Sequence, residues 1–156
     1  MTTTAELVEQ ELRLQFTRFT NEDAWRLGCL LVELAREREL PVTVDIRRGE
    51  QQLFHFAMPG TSADNDAWIE RKTRVVRRYG SSSYLVGQRF RDAGGTFEEK
   101  SRLDPDRYAA HGGAFPIVVA HVGPVGTVAI SGLPQLDDHK LVVEGLERYL
   151  EADLPG

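Results

Sequence analysis

Residues 111–140, HGGAFPIVVAHVGPVGTVAISGLPQLDDHK, constrain the fold more tightly than any other stretch. A glycine pair opens the segment, and Gly132-Leu133-Pro134 breaks it before a helical pattern begins. Between them lie two apolar runs, 115–120 and 126–131, separated by His121-Val122-Gly123-Pro124. Strands joined by so short a turn pair antiparallel, because a parallel pair needs a crossover of a dozen or more residues. Pro116 cannot donate to a ladder, so it fits only near the start of its strand or at an edge. In the second run Val128 and Ile130 face one way, and Thr127, Ala129 and Ser131 the other. The first face is bulky and predicts a core. The second is small and leaves room for a helix, a subunit or a ligand. His111 and His139 bracket the segment.

A second hairpin lies upstream. Val42, Val44 and Ile46 alternate with Thr43 and Asp45, which predicts a half-buried strand. Arg47-Arg48-Gly49-Glu50 reads as its turn, and Leu53, Phe54, Phe56 and Ala57 as the return strand, with His55 embedded in it. Helices surround the two hairpins. One is capped by Thr20 and ends at Pro41; its Cys29 reads as a small buried hydrophobe among leucines. Another opens at 62–64 and stops at Gly80. Short capped helices fill residues 81–108, and a last helix follows Pro134. Residues 1–19 read as an N-terminal arm: a short polar helix, then Leu12, Leu14 and Phe16 alternating as in an edge strand. The arm is too weakly apolar to be read as a core element. The simplest assembly is α+β: one domain over 1–156, with a single antiparallel sheet of about five strands, arm included, flanked by helices.

The chain's 156 residues suit one core, and its net charge of −5 opposes general affinity for nucleic acid or an anionic membrane. The one cysteine excludes an intramolecular disulfide and a cysteine-cluster metal site. The N-terminus MTTTAELVEQELRLQF lacks a basic start and a signal-length apolar run, so a cytoplasmic location is expected. No histidine pair has zinc-ligand spacing, no glycine-rich stretch has dinucleotide-binding spacing, and Gly-x-Ser-x-Gly is absent. No metal is expected, and no pair of acids can be singled out as catalytic.

What remains is a constellation. Asn65, Trp68 and Lys72 fall at i, i+3 and i+7 on one helix face. Lys72 lies among apolar residues, so it either snorkels or points an ammonium into a pocket. Arg71, Arg74 and Arg78 form a separate basic stripe, read as a solvated face or an anion-binding wall. With His111, Ser131 and His139 these groups would line a pocket for a small carboxylate-bearing ligand, if the two ends of the hairpin segment converge. Lys72 and Arg78 would pair carboxylates, Trp68 would stack, and an imidazole would bond the ligand or ligate haem iron. The plainer alternative makes both histidines structural.

The segments ADNDAWIERKTRVV (63–76), HGGAFPI (111–117) and VGTVAISGLPQLDDHKLVVEGL (125–146), with the LPVTVDI strand, resemble the haem-degrading domain family, GlcG/HbpS-like. The similarity is greatest to its small single-domain cytoplasmic branch. It implies a profilin-like fold, an antiparallel sheet flanked by helices, and a symmetric homo-oligomer. Haem binding belongs to the secreted branch; here Cys29 is followed by Leu30, so that branch's Cys-Pro pair is missing. No iron ligand carries over by alignment. Three functions follow as expectations: a soluble oligomeric protein binding haem or another small carboxylate-bearing ligand, an enzyme acting on haem or a hydroxy-acid-like metabolite, or an assembly or adaptor protein.

Overall fold

The structure, a computed structural model, describes residues 2–152. Its elements run α1 (Thr4–Arg13), α2 (Asn21–Glu37), β1 (Thr43–Arg48), β2 (Gln51–Ala57), α3 (Ala63–Tyr79), α4 (Ser83–Asp92), α5 (Phe97–Ser101), β3 (Ala114–Val119), β4 (Gly123–Ser131) and α6 (Gln135–Ala152). The four strands form one sheet in the order β2-β1-β4-β3, every pair antiparallel. The two hairpins are therefore joined through β1 and β4, with Val44 opposite Ile130 and Ile46 opposite Val128.

The sheet has four strands rather than about five. The arm contributes one parallel bridge, Phe16 to Val119, in place of an edge strand. Leu12, at 70% exposure, does not share the burial of Leu7, Leu14 and Phe16, of which Leu14 and Phe16 join the main core, so the expected alternation does not make a strand face. Polar contacts tie α1 to α4, with Thr4 donating to Asp92 and Glu11 accepting from the Ser82 amide at the start of α4. A short helix that looks polar by composition is thus anchored by Leu7 and by hydrogen bonds.

Helices α2 and α6 cover one face of the sheet. Leu27, Leu31 and Leu146 meet Val44, Ile46, Val128 and Ile130 there in one apolar cluster. Thr20 and Asp23 form a reciprocal capping box at the start of α2. The Asp23 carboxylate also accepts from Tyr149 of α6 at 2.5 Å and from Arg26 at 2.9 Å, so it clamps the two core helices together. Loss of this carboxylate removes a cap worth about 1 kcal/mol and a charged hydrogen bond worth about 1.5–3 kcal/mol. Asp23→Ala is accordingly expected to destabilise by about 3 kcal/mol in urea unfolding, and Tyr149→Phe by less, because the cap survives.

Helix α3 covers the other face. Ile69 and Val76 pack on Ala114 and Ala129, so the small residues of β4 serve to let this helix approach. That coverage also explains β1. Thr43 and Asp45, the expected polar face of a half-buried strand, are fully buried beneath α3. Asp45 is satisfied by Arg47 at 2.7 Å and Gln52 at 2.6 Å. The sheet is therefore covered on both faces at β1 and the inner half of β4, while β2 stays largely exposed.

Candidate functional site

The site forms where the first half of α3 crosses the glycine-rich entry to β3 and the link from β4 to α6. Ser62 caps α3, and the reciprocal bond of its capping box runs from the Ser62 amide to Asn65 Oδ1 at 3.0 Å. This fixes the amide of Asn65, whose Nδ2 is left with Ser131 Oγ at 3.4 Å, a long contact for a hydrogen bond. One turn on, the Trp68 ring lies 5.1 Å from the His111 ring, and the Arg71 guanidinium sits 4.4 Å over its face.

Lys72, a further turn along, is only 2% exposed. Its ammonium does not snorkel. Nζ donates to Ile130 O at 2.7 Å and Gly112 O at 3.0 Å, and faces Asp138 Oδ2 at 3.5 Å. The Asp138 carboxylate, 3% exposed, also accepts from the Leu133 amide at 2.9 Å. Burial disfavours charge on both groups. It pushes the Asp138 carboxyl up to about 6, against the pull of Lys72, and pushes the Lys72 amine down, against the pull of Asp138. Gly113 makes the arrangement possible. It has φ +129°, and a Cβ there would lie 2.4 Å from both Lys72 Nζ and Ile130 O.

Above this pair lies a cleft of about 300 Å³. Lys72 and Asp138 lie at its floor, Trp68 and His111 form one wall, and Asn65, Ser131 and Leu133 line the rest, with Asp64 and Gln135 completing it. His111 is shifted down chiefly by partial burial, against the pull of Glu98 and with Arg71 and Lys72 adding repulsion, which favours the neutral imidazole.

Five of the residues picked out from the sequence, Asn65, Trp68, Lys72, His111 and Ser131, line this one cleft. Two do not. Arg78 is exposed on the last turn of α3, away from the cleft. His139 is buried behind it, between Tyr84 and Phe115, with Nε2 2.8 Å from Gln10 Oε1. Its Nδ1 has no partner, and burial pushes the ring down to about 4, so it is a neutral interior imidazole. Asp138 and Gln135 were missed. Asp138 stands beside Asp137 in the first turn of α6, where acids are common for reasons of the helix dipole alone. The available signal was Lys72 itself, since a lysine on an apolar stripe needs a buried acceptor.

The fold defines an α+β protein: one four-stranded antiparallel sheet between helices, with a cleft at one end of the helix that crosses the sheet. The chain belongs to the HbpS-like haem-degrading family, whose description, "Haem degrading protein HbpS-like", matches residues 19–147. A UPF0303 protein of Streptomyces coelicolor is 71% identical over 148 residues, 95% of this chain and 94% of that one. The crystal structure of the Ybr137w protein superposes with a TM-score of 0.91 at 34% identity, covering 98% of this chain and 91% of that chain. A PduOC:heme complex shares the fold alone, at TM-score 0.69 and 17% identity, over 83% of this chain and 93% of that one. No helix among the described residues is long and apolar enough to cross a membrane. No group of three or more His, Cys, Asp or Glu among them is placed to hold a metal ion.

Proposed function

We propose that the protein is a cytoplasmic homo-oligomeric binding protein whose cleft takes a compact ligand bearing a carboxylate. The carrying observation is the convergence of under-used donors. Asn65 Nδ2 has one contact, at 3.4 Å, and the Lys72–Asp138 contact of 3.5 Å is longer than the ~2.7–2.9 Å of a charge-assisted hydrogen bond. Acceptor atoms of a ligand would complete both, with the Trp68 ring and Leu133 against its carbon skeleton. At about 30 Å³ per water-sized group, the cleft admits roughly ten such groups.

Haem fits these residues less well than a compact carboxylate does. The cleft is small for a tetrapyrrole, and His139 is sealed in the interior, which leaves His111 as the one imidazole lining the cleft. A haem titration is expected to give no Soret change that His139→Ala alters.

The binding reading is tested by fluorescence. Trp25→Phe leaves Trp68 as the one tryptophan of the chain. Titration of this variant with a panel of small carboxylates is expected to give a saturable signal that Asn65→Leu weakens at least tenfold. Affinity should rise as pH falls through about 6, because protonating Asp138 removes a negative charge beside the incoming carboxylate. A flat response to the whole panel would remove this function.

The oligomer reading is supported at β2, an edge strand beside a groove lined by Trp25, Phe54 and Phe56. Trp25 is 59% exposed there. Glu33 and Arg36, which pair with each other at 3.2 Å, line the same groove. Light scattering should give a mass above the monomer, and Trp25→Glu should lower it; a monomer mass for the unaltered chain sinks this part.

A further inference from the structure

We propose that Lys72 is a carbonyl-capturing amine, forming a reversible imine with a compact carbonyl compound drawn into the cleft. This rests on the binding reading above and adds a covalent step to it. The chain has three lysines, Lys72, Lys100 and Lys140, and the other two are exposed.

The hydrogen-bond geometry around Nζ suits an amine as well as an ammonium. Two protein carbonyls lie at 2.7 and 3.0 Å, while the third neighbour, Asp138 Oδ2, is at 3.5 Å. A neutral amine has two N–H groups and one lone pair. The carbonyls of Ile130 and Gly112 take the two N–H groups, and the lone pair is left on the side of Asp138, where both residues line the cleft. An ammonium in the same place has a third N–H whose acceptor is too far for a strong bond. Burial enlarges the amine fraction relative to a surface lysine, the usual way a nucleophilic lysine is activated. The absence of a side chain at Gly113 keeps the nitrogen clear, since a Cβ would sit 2.4 Å from it.

Asp138 supplies the acid. The Nζ lone pair forms a C–N bond to the carbonyl carbon as the C=O π bond opens, and a proton passes from nitrogen to oxygen, giving a carbinolamine. The Asp138 carboxyl then protonates that hydroxyl, which leaves as water while the nitrogen lone pair forms the C=N bond. The products are a protonated imine beside the Asp138 carboxylate, the same charge pattern as the ion pair at rest. No oxidant or reductant is needed, and hydrolysis reverses the sequence. Asn65 Nδ2 and Ser131 Oγ remain to hold the polar end of the compound.

The test is borohydride trapping on the full chain. Pyruvate with sodium cyanoborohydride is expected to give one adduct by intact mass, mapped by peptide digestion to Lys72 at least tenfold over Lys100, Lys140 and the N-terminal amine. Lactate, which lacks the carbonyl, should give none. Trapping should pass through a maximum with pH, because the amine fraction grows as pH rises while the protonated Asp138 carboxyl is lost above about 6. Lys72→Arg should abolish the adduct. Asp138→Asn, which keeps the amine, should slow it by about a hundredfold, the scale of one general acid; circular dichroism checks that both variants fold. Adduct confined to the exposed amines, or none at all, overturns the proposal. If the Trp68 signal still responds to pyruvate without an adduct, the imine falls and the binding reading stands.

Discussion

Gly113→Ala is expected to destabilise the protein by about 4 kcal/mol in urea unfolding, a quarter or more of the ~5–15 kcal/mol that native domains possess. Two costs combine. The backbone is at φ +129°, where a side chain costs about 1–3 kcal/mol. The new methyl would also meet Ile130 O and Lys72 Nζ at 2.4 Å and Asp138 Cβ at 3.0 Å, and overpacking of this kind costs about 1–3 kcal/mol. None of these neighbours can move freely, because Ile130 is in the sheet and Lys72 and Asp138 hold each other. Gly49→Ala separates the two costs. Gly49 has φ +58° and nothing within 4 Å of where a methyl would project, so only the left-handed backbone penalty of about 1–2 kcal/mol applies. Equal losses for the two variants would mean that the contacts around Lys72 do not matter to stability.

The same residues mark how far the sequence could be read. The hairpins were legible because pairing by a short turn is local, and period-two alternation names the faces. The cleft wall was legible because Asn65, Trp68 and Lys72 share one helix face, which spacing alone determines. Three features were not, and each depends on what packs from a distance. Thr43 and Asp45 looked like a solvent face because alternation cannot say that α3 will cover it. The arm looked peripheral because its few apolar residues are diluted by charge, though Leu7, Leu14 and Phe16 all point inward. His139 shares the apolar face of α6 with Val143 and Leu146, and such a face leads equally to a pocket or to the interior, where it is buried. Asp138 escaped because its partner is on another helix, and nothing local distinguishes it from its neighbour Asp137.

Lys72→Met should give the largest loss of any side-chain replacement at the site, and a loss that depends on pH. At pH 8 the Asp138 carboxylate would be buried without its counter-charge, a defect worth about 3–5 kcal/mol, and the Gly112 and Ile130 carbonyls would lose their donor. The sign with pH follows from linkage. In the native chain burial raises the Asp138 carboxyl to about 6, above the ~3.9 of an unfolded aspartate. Between these values the folded state holds the proton that the unfolded state has released. The stabilisation from that proton is complete below about pH 4 and is lost as pH rises through 6. Removing the ammonium lets burial act unopposed, so the Asp138 carboxyl moves higher still and the loss extends further into alkaline pH. The variant should therefore keep only the smaller loss from the two undonated carbonyls at pH 4–5 and fall much further at pH 8, in parallel urea titrations. Adding Asp138→Asn to Lys72→Met should recover part of the stability at pH 8, because a neutral amide carries no unpaired charge. A Lys72→Met defect of the same size at both pH values would show that the ammonium acts only as a hydrogen-bond donor, with Asp138 uncoupled from it.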